Sequence, residues 1–244
     1  MSIRKLGLSL IVTLGLAAEA HAMDWCGLTL PVGTTILNQN QFCTGLGIKL
    51  QSGSRLLGGG YFIDGTGQPS DKPCVRSDGA NSILIQDVAI KNCGNNGVEI
   101  KNATNPDLTR VTVTNVHSNG ILCLNCTGLD AVNVTVNSNA AAGIRIEGGS
   151  GNAINQASIL SNSNAGVLLL NTVSATVAHA TILGNGTWSV EFRGAGTHDS
   201  RAAFGSSFNS ARFNSGAFNN SALSTLPGWT CTSDGSGHGS NVCQ

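Results

Sequence analysis

The sequence predicts an all-β solenoid of about 23-residue coils with three short strands per coil, and three observations carry that prediction. The first is a repeat. From about residue 83 to residue 194 five apolar positions recur every 23 residues, starting at Ile85, Val88, Ile90, Val98 and Ile100. The last series, for example, runs Ile100, Cys123, Ile146, Leu169, Phe192. All 25 positions are apolar in a chain that is 41% hydrophobic. A period in this range marks coils that bury one another's hydrophobic edges. The second observation is local: apolar residues come in pairs two apart, 88 with 90 and 98 with 100, the signature of strands with one face inward. No repeat holds a 10–12 residue stretch at helical spacing. The third is the filling of the corners by Asn and Gly, at Asn92, Asn102, Asn115, Asn125, Asn171, Gly148 and Gly194. Both residue types accept positive φ, and stacked Asn side chains can hydrogen-bond along a ladder.

The elements follow in chain order. Residues 1–22 read as a secretory signal peptide, with Arg4 and Lys5 ahead of the apolar Leu6 to Ala18 and a small-x-small site at Ala20-His21-Ala22. The apolar stretch is too short for a membrane anchor, which needs about 20 residues. Residues 23–43, with Leu28, Leu30, Val32, Ile36 and Leu37, are expected to cap the first coil, because an open solenoid end invites pairing with other chains. Residues 44–194 form the coils. Each has strands near 97–101, then 83–85 or 106–108, then 88–90 or 111–113, stacked at roughly 4.8 Å. Positions 85 and 88 both face inward with two residues between them, so the chain bends sharply there. Residues 195–244 leave the register. They are read as a C-terminal cap in which Phe204, Phe208, Phe213 and Phe218 cover the last coil, or else as a segment that docks on a neighbour.

Composition excludes some functions. Lys+Arg and Asp+Glu balance at 13 each and charged residues are 11% of the chain, so no basic stripe offers itself to nucleic acid or an anionic membrane. A polyanion such as pectate would ordinarily meet a more basic face.

The motifs Asn96-Gly97-Val98-Glu99-Ile100, Asn119-Gly120-Ile121, Ala142-Gly143-Ile144-Arg145-Ile146 and Ala165-Gly166-Val167 resemble those of the right-handed parallel β-helix superfamily of pectate lyases, pectin lyases and related secreted bacterial proteins. Gly45 to Leu50 and Leu56 to Gly65 look like that family's opening coil. The register reaches Cys74-Val75-Arg76-Ser77 if residues 66–73 form a corner loop four residues longer. The resemblance covers roughly residues 26–194 and implies a fold rather than one activity, since that fold hosts lyases, hydrolases, epimerases, adhesins and phage spikes.

Eight cysteines in an exported chain argue for disulfides and for a secreted or periplasmic location. Cys26–Cys43 would staple the N-terminal cap and Cys231–Cys243 the tail. Cys74 aligns with Gly97 one coil on and Cys93 lies in the corner before Gly97, so that pair is favoured. Cys123 and Cys126 stay open: a buried free thiol suits the core position of Cys123, while CxxC spacing also allows redox or zinc chemistry, though there is no second CxxC and no paired His.

In proteins of the resembling superfamily the substrate lies along the sheet built from the x-Gly-Val-x-Ile strands. Its outward residues here form two ladders, Glu99, Leu122, Arg145, Leu168, Glu191 and Lys101, Leu124, Glu147, Leu170, Arg193. Charged rungs alternate with leucine rungs, which places Glu99 and Arg145 roughly 9–10 Å apart. One reading is a polysaccharide groove. Elimination or epimerisation of a uronate would take its base from Arg145 or Lys101, and the glutamates would hold Ca²⁺. The plainer reading is a solvated sheet with cross-rung pairs. The leucines form an apolar patch that suits a partner or a covering segment. Trp188 stands at the rim, where an aromatic can stack on a sugar. The corner ladder Asp87, Arg110, Asn133, Gln156, His179 is read as structural. Gly237-His238-Gly239 lacks the Asp motifs of galacturonan hydrolases, and the Asp-Pro-His-Asp of alginate epimerases is absent, so no catalytic residue is carried over. Two functions are expected: interaction with a polysaccharide or cell-surface glycan along Glu99 to Arg193, with or without cleavage or epimerisation, or a non-catalytic surface or structural protein, either an adhesin or a self-assembling unit.

Overall fold

The computed structural model describes residues 23–193 and, beyond them, the backbone of five short strands. The expected signal peptide at 1–22 lies outside the described residues, as do the side chains of the Phe-rich tail and of Cys231 and Cys243.

Three parallel sheets run the length of a solenoid of about seven turns. Sheet A contains β3 (Ile48–Leu50), β6 (Val75–Asp78), β9 (Val98–Lys101), β12 (Ile121–Leu124), β15 (Ile144–Glu147), β18 (Val167–Leu170), β21 (Val190–Arg193) and β24 (Ala211–Phe213). It continues into antiparallel β26 (Asn241–Cys243) and β25 (Cys231–Ser233), whose register sets Cys231 opposite Cys243. Sheet B starts with β1 (Gly33–Ile36), β4 (Ser54–Leu57), β7 (Leu84–Gln86) and β10 (Asp107–Thr109) and goes on through β13 (Asp130–Val132), β16 (Ala153–Asn155), β19 (Thr176–Ala178) and β22 (Arg201–Ala203). Sheet C starts with β2 (Gln41–Phe42), β5 (Phe62–Asp64), β8 (Ala89–Lys91) and β11 (Thr112–Thr114). It goes on through β14 (Thr135–Asn137), β17 (Ser158–Leu160), β20 (Thr181–Leu183) and β23 (Ser207–Phe208).

The repeat sets the register. Ile85 pairs with Leu108 and Leu108 with Ala131, each 23 residues on. Lys49 pairs with Arg76, four residues more, which is the longer corner loop read from the sequence. The inward residues of all three sheets form one core, with Ile85, Ile90, Ile100, Val113, Ile121 and Ile146 at 0% exposure.

From residue 79 to residue 184 the chain turns at left-handed residues in four recurring positions. They fall at 79, 82, 87 and 92 and repeat every 23 residues through 171, 174, 179 and 184; the non-glycine members lie at φ of 50–56°. The expected corner residues Asn92, Asn102, Asn115, Asn125, Asn171 and Gly148 are all among them. A fourth, one-residue ladder escaped the sequence reading: Asn81, Thr104, Thr127, Ser150 and Val173 pair in succession between sheets A and B. A lone bridge residue has no apolar period by which to be recognised.

Inside the corner before sheet A, Asn139, Asn162 and Asn185 stack. The Asn139 Nδ2 donates to Asn162 Oδ1 at 2.8 Å and the Asn162 Nδ2 to Asn185 Oδ1 at 2.9 Å. Such a ladder satisfies buried backbone as well, since Val116 N donates to Asn139 Oδ1.

Cys26 is bonded to Cys43 and Cys74 to Cys93. Cys123 is bonded to Cys126, and both are fully buried in the core. The open question of that pair therefore resolves to a disulfide closed off from solvent, rather than a free thiol, a zinc site or an accessible redox couple.

At the N-terminal end, Trp25 and Cys26 pack against the core, and Gln41 Oε1 accepts a hydrogen bond from Trp25 N at 2.6 Å. Thr29 bridges Lys49 and so covers part of the sheet A edge. Within the stretch read as a cap, Leu30 and Leu37 are buried, whereas Leu28, Val32 and Ile36 are exposed. Strands β1 and β2 in that stretch already stand as the first rungs of sheets B and C.

Candidate functional site on sheet A

Alternation along each sheet A strand sends Val98 and Ile100 inward and Glu99 and Lys101 outward, and the parallel register stacks the outward residues into columns. One column reads Lys49, Arg76, Glu99, Leu122, Arg145, Leu168, Glu191. The other reads Asp78, Lys101, Leu124, Glu147, Leu170, Arg193. Both expected ladders are therefore present as columns. They extend further toward the N-terminus, through Arg76 and Asp78 to Lys49.

Charges on this face pair within their own strand. Lys101 Nζ lies 2.7 Å from Glu99 Oε1, Arg145 Nη2 donates to Glu147 Oε2 at 2.6 Å, and Arg193 holds Glu191 through two bonds at 2.7 and 3.0 Å. Glu99 also accepts from Asn96 Nδ2 at 2.8 Å. From Glu99 to Glu191 a leucine rung stands between successive charged rungs, so there the opposite charge in reach is two residues along the same strand. The cations named as a base and the glutamates named for Ca²⁺ are thus engaged with one another. Among the described residues no three His, Cys, Asp or Glu side chains gather as they would around a metal ion.

The leucine rungs are less open than the sequence suggests. Leu168 is buried and packs with Ala142 and Ala165 in a small cluster outside the main core. Leu122, Leu124 and Leu170 are half-buried. Trp188 is half-buried too, at the entrance to β21, and its carbonyl accepts the Gly166 N–H at 2.8 Å.

The face opens into a cleft at its N-terminal end. Lys49, Arg76, Ser77, Asp78, Glu99 and Lys101 line a space of about 200 Å³. Asp78 accepts from Asn102 Nδ2 at 3.0 Å. Among the described residues neither Arg76 nor Lys49 has an ion-pair partner, and Arg76 Nε is buried without a hydrogen bond. With three cations and two carboxylates, the cleft carries one uncompensated positive charge. The ladder reading stopped at Glu99 and missed Lys49, Arg76 and Asp78. The signal was available, since Arg76 and Asp78 stand one repeat before Glu99 and Lys101.

Elsewhere the chemistry is sparser. A broader hollow of about 460 Å³ lies against sheet B between Arg55 and Asp107, but Asp107 is engaged by Thr109 Oγ1 at 2.7 Å. In the corner ladder Arg110 grips Asp87 through bonds of 2.6 and 2.9 Å, and this, with the Gln86 amide, holds the Asp87 carboxyl down to about 2. His179 Nδ1 lies 3.1 Å from Asn155 Oδ1. All five ladder residues occupy the left-handed bend, which gives them a backbone role.

The family model for the right handed beta helix region matches residues 57–215. The chain belongs to the right-handed β-helix family. Among solved structures this β-helix protein is similar to pectate lyase Pel9A, with 14% identity and a TM-score of 0.53 over 72% of this chain and 52% of the lyase. It is also similar to the A-module of the Azotobacter vinelandii mannuronan C-5 epimerase AlgE4, with 15% identity and a TM-score of 0.43 over 72% of this chain and 67% of the module. The β-helix protein thus spans about half the length of the lyase, and at such identity the likeness shows the fold alone. No curated protein matches it in sequence.

Proposed function

We propose that this β-helix protein binds an acidic polysaccharide along sheet A, with the cleft at Arg76 receiving an acidic group of a sugar ring. The carrying observation is the Arg76 guanidinium. It stands in a cleft without a carboxylate of its own, beside the unpaired Lys49, while every other arginine on the described part of this face is bound to a glutamate. A guanidinium left free recognises a planar carboxylate through two parallel N–H···O bonds. The rest of the face is a row of neutral ion pairs and half-buried leucines, suited to the polar edges and apolar faces of successive sugars. That one protein of similar fold is a pectate lyase supports an acidic polymer as ligand. Three disulfides accord with work in an oxidising, extracellular setting. No helix among the described residues is long and apolar enough to cross a membrane.

Titration calorimetry with acidic and neutral oligosaccharides tests the reading. The wild type is expected to bind acidic chains only, Arg76→Ala to bind them at least tenfold more weakly, and Arg110→Ala, at the opposite corner, to bind as wild type. Equal binding by Arg76→Ala, or a preference for neutral chains, would overturn it. The ultraviolet absorbance of unsaturated products, followed on the same samples, reports whether binding leads to elimination.

A further inference from the structure

The N-terminal end of the solenoid carries a second surface, next to the cleft, to which the first coil contributes Lys49. Eight large hydrophobic side chains are exposed among the described residues, and seven of them lie between Met23 and Tyr61. Val32, Phe42 and Ile36 are the most open, at 71%, 62% and 60%. So strong a concentration at one end, centred on Val32, Ile36, Phe42 and Leu46 of the first coil, is not the scatter of single apolar residues that an ordinary surface shows. The same coil supplies open backbone. β1 and β2 are the first strands of sheets B and C, with no described strand on their outer side. Neither β1 (Gly-Thr-Thr-Ile) nor β2 (Gln-Phe) contains the lysine, proline or inward charge by which edge strands are usually guarded. At the other end, by contrast, sheet A runs on into an antiparallel pair.

We propose that two copies of this chain meet end to end through the first coil. Three features select a second copy as the occupant. A two-fold axis sets β1 antiparallel to β1 of the partner, and an edge strand's alternating donors and acceptors are complementary to themselves in that arrangement. Charge does not oppose it, since Lys49 and Arg55 are the only charged residues between Cys26 and Ile63. The area suffices. A coil of 23 residues at about 3.3 Å each traces roughly 76 Å and encloses about 450 Å², which outward side chains widen to roughly 700–800 Å² per partner, the size of a standard stable interface.

Sedimentation velocity of the full chain across a hundredfold concentration range tests the proposal. A monomer–dimer equilibrium is expected, and Val32→Lys combined with Ile36→Lys should raise its dissociation constant at least a hundredfold. Both side chains point outward, so the variant should keep the wild-type far-ultraviolet circular dichroism. Leu122→Asp, on the sheet A face, should leave the dimer intact. A strict monomer would overturn the proposal, and so would an open-ended series of oligomers or a dimer indifferent to the paired lysines.

Discussion

Glu191 is buried to 1% exposure on the sheet A face, and its charge is met by Arg193 through two hydrogen bonds. The rung beneath it carries leucine at both corresponding positions, Leu168 and Leu170. The site therefore accepts either a complete ion pair or a complete apolar pair, and half of either is costly. Arg193→Leu should lower unfolding free energy by about 3 kcal/mol, because it strands a buried carboxylate. Adding Glu191→Leu should recover most of that loss in urea titrations. A double variant no better than the single one would show that the pair is not the source of the cost. The columns that place these residues were legible in the sequence, because they follow from counting by 23. The pairing was not. Counting gives neighbours along the stack, whereas from Glu99 to Glu191 the leucine rungs hold the charged rungs two coils apart and send each charge to the residue two along its own strand.

The elements show the same division between what a period encodes and what close contact decides. Gly97, Gly120, Gly143 and Gly166 precede successive sheet A strands, and the resemblance to β-helix proteins rested partly on them. Their φ is not left-handed, so conformational freedom does not explain them. Space does: a Cβ at Gly143 would stand 2.5 Å from Ile159 Cγ2 and 2.7 Å from the carbonyl of Gly166 in the next coil. Gly143→Ala must push one coil away from another and should cost about 2–3 kcal/mol. Gly151, at a left-handed corner with nothing within 4 Å, should accept Asn at little cost, since Asn105 holds the same corner two coils earlier at φ 51°. Urea titrations of the two variants separate the causes, and a Gly143→Ala protein as stable as Gly151→Asn would refute the packing account. As letters in the sequence the two glycines are the same. Only the distance to the neighbouring coil tells a crowded glycine from a turning one, and the same blindness hid the Asn139–Asn162–Asn185 stack inside its corner.

Across the described residues each strand pairs only with strands of the coils on either side, so the chain behaves as a stack rather than a single closed core. A stack should tolerate the loss of one complete layer. Deleting residues 143–165 removes β15, β16 and β17 and joins Ala142 to Gly166. It sets β12 on β18, β13 on β19 and β14 on β20, with every inward residue still inward. It also leaves all three described disulfides in place. Deleting one residue fewer, 143–164, shifts the strands on one side of the junction by one position and turns their apolar residues to solvent. The 23-residue deletion should therefore keep the parent's β-rich circular dichroism and a cooperative melt at somewhat lower temperature, and the 22-residue deletion should yield neither. Because the cleft at Arg76 and the first coil lie outside the excised layer, the shortened protein should also keep glycan binding and end-to-end association. If both deletions unfold, the coils depend on more than their neighbours, and the solenoid is a single cooperative body rather than a sum of layers.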